Sequence, residues 1–92
     1  MRIYKYVLDF DSQGNGEIKV PAYSYLLKVG VQQIPRDVIV LWYQVDPETK
    51  SEINRFKVIM NGEEFAHDGL KYIDTVTLNG WIVCHVFKVT YA

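Results

Sequence analysis

The sequence predicts an all-β domain, a compact antiparallel β-sandwich or partly open barrel of six to seven strands. Short runs rich in Val, Ile, Tyr and Phe recur along the chain, most of them alternating with a period of two. Clusters of Gly, Pro, Asn and Asp separate these runs at the places where a chain must turn. Hydrophobic residues make up 49% and aromatics 14% of the 92 residues, enough for a packed core.

Ile3 to Phe10 alternates and reads as the first strand, with Tyr4, Tyr6, Leu8 and Phe10 on one face. Gln13-Gly14-Asn15-Gly16 supplies a turn. Glu17 to Val20 follows as a short strand, ended by Pro21, which lacks the N–H an inner strand needs. Tyr23 to Gln32 is the third strand, weakened by Gly30, and Ile34-Pro35-Arg36-Asp37 the next turn. Val38 to Val45 is nearly continuously apolar, the pattern of a strand covered on both faces, and is placed at the centre of the sheet. Asp46 to Lys50 turns the chain into the alternating strand Ile53 to Met60.

Asn61 to Tyr72 is irregular, with room for a turn or two of helix at most. Ile73 to Leu78 and Trp81 to Thr90 flank Asn79-Gly80, the dipeptide favoured in type I′ hairpins. A two-residue loop there sets Leu78 opposite Trp81, Val76 opposite Val83, Asp74 opposite His85 and Tyr72 opposite Phe87. The first and last strands resemble each other in texture, and pairing them would remove an exposed edge. The reading is one domain over residues 1–92, with no internal repeat or linker.

Ten Lys and Arg against eleven Asp and Glu give a net charge of −1. Nucleic-acid binding is disfavoured, because affinity for a phosphate backbone rests on a basic excess. No stretch reaches the roughly 20 apolar residues of a membrane span, and the N-terminus has no signal-peptide pattern. With a lone cysteine, Cys84, and no internal disulfide, the chain reads as cytoplasmic.

The sharpest chemical constellation is the polar pair Asp74 and His85, since a carboxylate beside an imidazole orients it and favours its protonated form. The bland reading, a cross-strand pair that fixes register, is preferred to a catalytic one because neither nucleophile nor metal set accompanies the pair. Cys84 adjoins His85 in sequence, but neighbouring strand residues point to opposite faces. His67 and Asp68 sit in the irregular segment. Two histidines and one cysteine are a poor zinc set. Asp9, Asp11 and Gln13 imitate the start of a calcium loop, yet the twelfth position is Val20 in place of an acid. No metal or cofactor is expected.

The aromatics outnumber what one small core holds. Tyr4, Tyr6, Trp42 and Tyr43 are therefore the candidate binding residues, with Trp42 and Tyr43 on opposite faces of their strand. Taken together, Ile3-Tyr4-Lys5-Tyr6-Val7-Leu8, Leu41-Trp42-Tyr43-Gln44-Val45-Asp46-Pro47, Phe56-Lys57-Val58, Tyr72-Ile73-Asp74-Thr75-Val76 and His85-Val86-Phe87-Lys88-Val89 resemble an uncharacterised family of small phage and bacterial proteins. The resemblance spans nearly the whole chain. It departs at Ile59 to Phe65, where a threonine- and glycine-rich loop is expected, and it passes no catalytic role to any residue.

What the resemblance implies is a setting, a phage accessory protein that inhibits host defence. The expectation is a non-enzymatic module that binds a protein partner. The alternative is a homo-oligomeric sponge for a small nucleotide-like ligand, and an enzyme built on Asp74 and His85 ranks last.

Overall fold

Seven strands form among the described residues: β1 (Arg2–Leu8), β2 (Asn15–Pro21), β3 (Tyr25–Gln33), β4 (Asp37–Val45), β5 (Ser51–Met60), β6 (Leu70–Leu78) and β7 (Ile82–Val89). The computed structural model describes residues 1–33 and 35–90. Ile34, which opens the second predicted turn, and Tyr91 lie outside the described residues. The strands make two antiparallel sheets, one of three in the order β1-β4-β3 and one of four in the order β2-β5-β7-β6. The shortest dimension is 19 Å, as two stacked layers require. The sandwich half of the predicted class is what forms, and no barrel closes.

Alternation builds the core. Strand β4 sends Ile39, Leu41, Tyr43 and Val45 inward, where they meet Phe56 and Val58 of β5, Cys84 and Val86 of β7, and Ile18 and Val20 of β2. Each such side chain contributes roughly 1.5–3 kcal/mol by leaving water. Pro21 is tolerated because β2 is an edge strand.

Four expectations are corrected. The terminal strands do not pair: β7 is hydrogen-bonded on both sides, to β5 and β6, while β1 lies in the other sheet against β4. Strand β4 is central, but only to the smaller sheet, and the second sheet covers only its inner face. Tyr23 lies outside β3, with φ of 61°. The segment between β5 and β6 contains no helix among the described residues, which is within the expected limit and so is not one of the four.

The fourth concerns the hairpin. Asn79 and Gly80 do take positive φ, 53° and 79°, and Trp81 N–H donates to the Leu78 carbonyl at 3.1 Å. The ladder nevertheless begins at Leu78–Ile82, so Trp81 joins the loop and every following pair moves by one. Asp74 stands opposite Val86, and His85 opposite Thr75. The reason is core packing. The shifted register sets Val76 and Leu78 opposite Cys84 and Ile82, on the face that fills the sandwich, whereas a two-residue loop would pair them with outward Trp81 and Val83. A bulge at Ile73 then absorbs the extra residue and restores the expected pairing of Tyr72 with Phe87.

Candidate binding surfaces

The outer side of the three-stranded sheet carries the side chains that β4 does not send inward. Val38, Val40 and Trp42 form its central column. Ile3, Lys5 and Val7 of β1 flank the column on one side, and Tyr25, Lys28, Gly30 and Gln32 of β3 on the other. Trp42 sits on Gly30: a Cβ there would come within 3.0 Å of the indole Cζ3. The Lys5 ammonium donates to Gln32 Oε1 at 2.7 Å. That bond crosses β4 between the levels of Trp42 and Val38, which places it over Val40 and accounts for the burial of Val40. Ile3, Val7 and Tyr25 remain exposed around this centre.

The four candidate aromatics do not share a place: Trp42 and Tyr43 point to opposite sides of β4, as alternation requires. Trp42 alone belongs to the outer face. Tyr43 is a core residue, 1% exposed, whose hydroxyl accepts a hydrogen bond from Asn54 Nδ2 at 3.1 Å. Burial raises its pKa above 10.0, the Asn54 bond lowers it in part, and the negative charges of Tyr6 and Glu52 add to the rise. Tyr6 meets Tyr43 edge to face at 5.7 Å, and Tyr4 meets Tyr6 at 6.4 Å. The three tyrosines thus run from the rim of the sandwich into its interior.

On the outer side of the four-stranded sheet His85 is held at both nitrogens, by groups other than Asp74. Its Nε2 is 2.6 Å from Asn61 Oδ1, and its Nδ1 is 2.9 Å from Thr75 Oγ1. An amide oxygen only accepts, so Nε2 donates to Asn61, while Thr75 Oγ1 can serve Nδ1 as donor or acceptor. Tyr72 in turn lies 2.7 Å from Thr75 Oγ1. The Asp74 carboxylate accepts from Thr75 N–H at 2.8 Å. Asp74 and His85 are therefore both satisfied, but by different groups, and no acid orients the imidazole.

The part of this second outer face around His85 and Phe87 is covered by the chain itself. Phe65 packs on Phe87 at 5.4 Å, and Phe87 on Tyr72 at 5.6 Å. Ile59, opposite His85 in the ladder, is buried. The irregular Asn61–Gly69 stretch is thus a cover, pinned by Asn61 and Phe65. Composition gave no sign of this, although a lone Phe among polar residues was the available signal.

Cys84 is fully buried, and burial, with the charge of Glu63 second, pushes its thiol above the usual value. His67 and Asp68 are 3.7 Å apart and almost wholly exposed. Asp11 caps its turn by accepting from the N–H groups of Gln13 and Asn15, each at 2.9 Å. Among the described residues no group of three or more His, Cys, Asp or Glu is placed to hold a metal, and no helix is long and apolar enough to cross a membrane.

The family model described as a domain of unknown function (DUF7352) matches residues 1–92. The chain belongs to that family. No curated protein and no solved structure matches this DUF7352 domain. Membership agrees with the resemblance read from the sequence at the level of an uncharacterised family.

Proposed function

We propose that this domain is a non-enzymatic binding module, and that its protein partner docks on the outer face of the three-stranded sheet around Trp42. One observation carries the reading: of the two outer faces, this one sets Trp42 among the exposed Ile3, Val7 and Tyr25 with no segment of the described residues laid over them. Aromatic anchors ringed by polar groups are the usual makeup of a protein interface. Lys5 and Lys28 flank Trp42 in the ladder, and among the described residues no acid stands at the outward strand positions around it, so the partner's complement is an apolar patch bordered by carboxylates. The resemblance to small phage and bacterial proteins supports a host defence protein as that partner, occluded stoichiometrically in the cytoplasm. The separation of Asp74 from His85 and the buried Cys84 weigh against an enzyme.

The test compares the wild type with Ile3→Glu, Val7→Glu and Trp42→Ala in co-purification from the host, with subunit ratios read by native mass spectrometry. The expected result is a fixed-ratio complex lost in all three variants, with the glutamate variants keeping the wild-type melting temperature. A wild type that captures nothing, or a complex that survives in all three, overturns the proposal.

A further inference from the structure

The sandwich has a second seam, where edge strand β3 of one sheet meets edge strand β6 of the other. A cleft of about 440 Å³ opens there, lined by Tyr25 to Val29 of β3, Lys71 to Asp74 of β6, and Lys88 of β7. Both strands are irregular at this place: β3 breaks register at Leu27 and β6 at Ile73, and both residues line the cleft. Bulges re-aim side chains and end strand pairing, and they gather next to functional sites.

The charge is one-sided. Lys28, Lys71 and Lys88 line the cleft against one acid, Asp74. Lys71 and Lys88 stand directly opposite each other in the β6–β7 ladder, where like charges destabilise the sheet. Among the described residues the ion pairs are Arg55–Glu17 at 3.6 Å and His67–Asp68 at 3.7 Å, so none involves these lysines. Asp74 is already committed to Thr75 N–H. A larger hollow of about 690 Å³ beside Asp11 and Phe56 lacks this bias, since its cation, Arg55, is paired with Glu17.

We propose that the β3–β6 cleft is a binding site for a small phosphate-bearing anion, held by Lys28, Lys71 and Lys88. Placing opposed ammonium groups across a ladder has an electrostatic cost, and a phosphate between them reverses its sign. The volume suits a ligand the size of a nucleotide, while the chain's overall balance of charge keeps the attraction local to the cleft. The site lies beside the Trp42 column and shares Tyr25 and Lys28 with it, so Lys71 and Lys88 are the residues that separate anion binding from protein docking.

The test is calorimetric titration of the whole chain with pyrophosphate at low ionic strength, alongside amide chemical-shift mapping. Expected are saturable binding that weakens as salt is added and shifts confined to residues 25–29, 71–74 and 88. Lys71→Gln and Lys88→Gln each weaken binding about tenfold, the worth of one hydrogen bond to a charged group. Asp74→Asn tightens it, and Lys19→Gln, on the far edge strand, leaves it unchanged. Parallel titrations with inorganic phosphate and a nucleoside triphosphate tell which part of the ligand is recognised, tighter binding of the triphosphate assigning a contact to the base and sugar. The proposal is overturned if pyrophosphate gives neither heat nor localised shifts. It is equally overturned if the lysine variants bind like the wild type, or if they merely aggregate while the wild type ignores the anion, which would make the lysines guards of an open edge. The shift map decides on the wild type alone should the variants fail to fold.

Discussion

Replacing Tyr43 by Phe removes one oxygen from the middle of the core and leaves everything else in place. The lost hydroxyl is the acceptor for Asn54 Nδ2 at 3.1 Å, and Asn54 is the one buried polar residue among the described residues, 7% exposed. Stranding a buried amide donor costs about 1–3 kcal/mol. For a domain of this size that corresponds to a fall in Tm of roughly 4–8 °C for each kcal/mol. Asn54→Leu strands the phenol instead and carries a similar cost. The double variant removes both polar groups, so its stability returns most of the way to wild type, a coupling of about 1–2 kcal/mol between neighbours. Urea unfolding followed by tryptophan fluorescence measures all four corners of this cycle.

The same phenol adds a pH signature. Its pKa is raised in the folded state above the unfolded value of 10.0. Its contribution is complete below the unfolded value and is lost as pH rises through the higher folded one. Alkaline unfolding of Tyr43→Phe therefore shows a shallower fall with pH above about 10. Single variants that cost nothing, or costs that simply add, would refute the placement of Tyr43 as a hydrogen-bonded core residue.

Other outcomes follow from the geometry. Gly14→Ala will cost more than about 2 kcal/mol, because φ is 82° and the new Cβ meets the Val58 carbonyl; chemical denaturation checks it. His85→Ala will release the Asn61–Gly69 cover, seen as faster amide exchange there, with a stability loss of about 1–3 kcal/mol for two hydrogen bonds. Cys84, buried with a raised thiol pKa, will react with a disulfide reagent only on unfolding, so its labelling rate will track urea concentration.

Strand identity was legible because β-branched and aromatic runs alternate at nearly every strand. Partner choice was not. Nothing in the resemblance between β1 and β7 reveals that one is an edge and the other is paired on both sides, since pairing depends on contacts distant in sequence. The tip of the last hairpin shows the limit more sharply. Asn79-Gly80 announces a tight turn, and both residues adopt its backbone. Whether Trp81 belongs to loop or ladder is decided by the core, which needs Val76 and Leu78 inside. The candidate site divided for the same reason: alternation places Trp42 and Tyr43 on opposite faces, but only the sheet stacking says which face is core.

The extra loop residue and the bulge have consequences beyond register. Had the hairpin closed with two residues, β6 and β7 would run without a bulge and Asp74 would face His85 on the outer side. The added residue at Trp81 moves Asp74 opposite Val86, and the bulge at Ile73 returns Tyr72 to Phe87. Between those two irregularities the pair that looked like acid–base chemistry is taken apart. Asp74 joins Lys71 and Lys88 at the seam, while His85 is left to hold the Asn61–Gly69 cover. A chain of this size commits one face of most strands to the core, so its remaining chemistry collects on the uncovered face at Trp42 and at the open seam between β3 and β6.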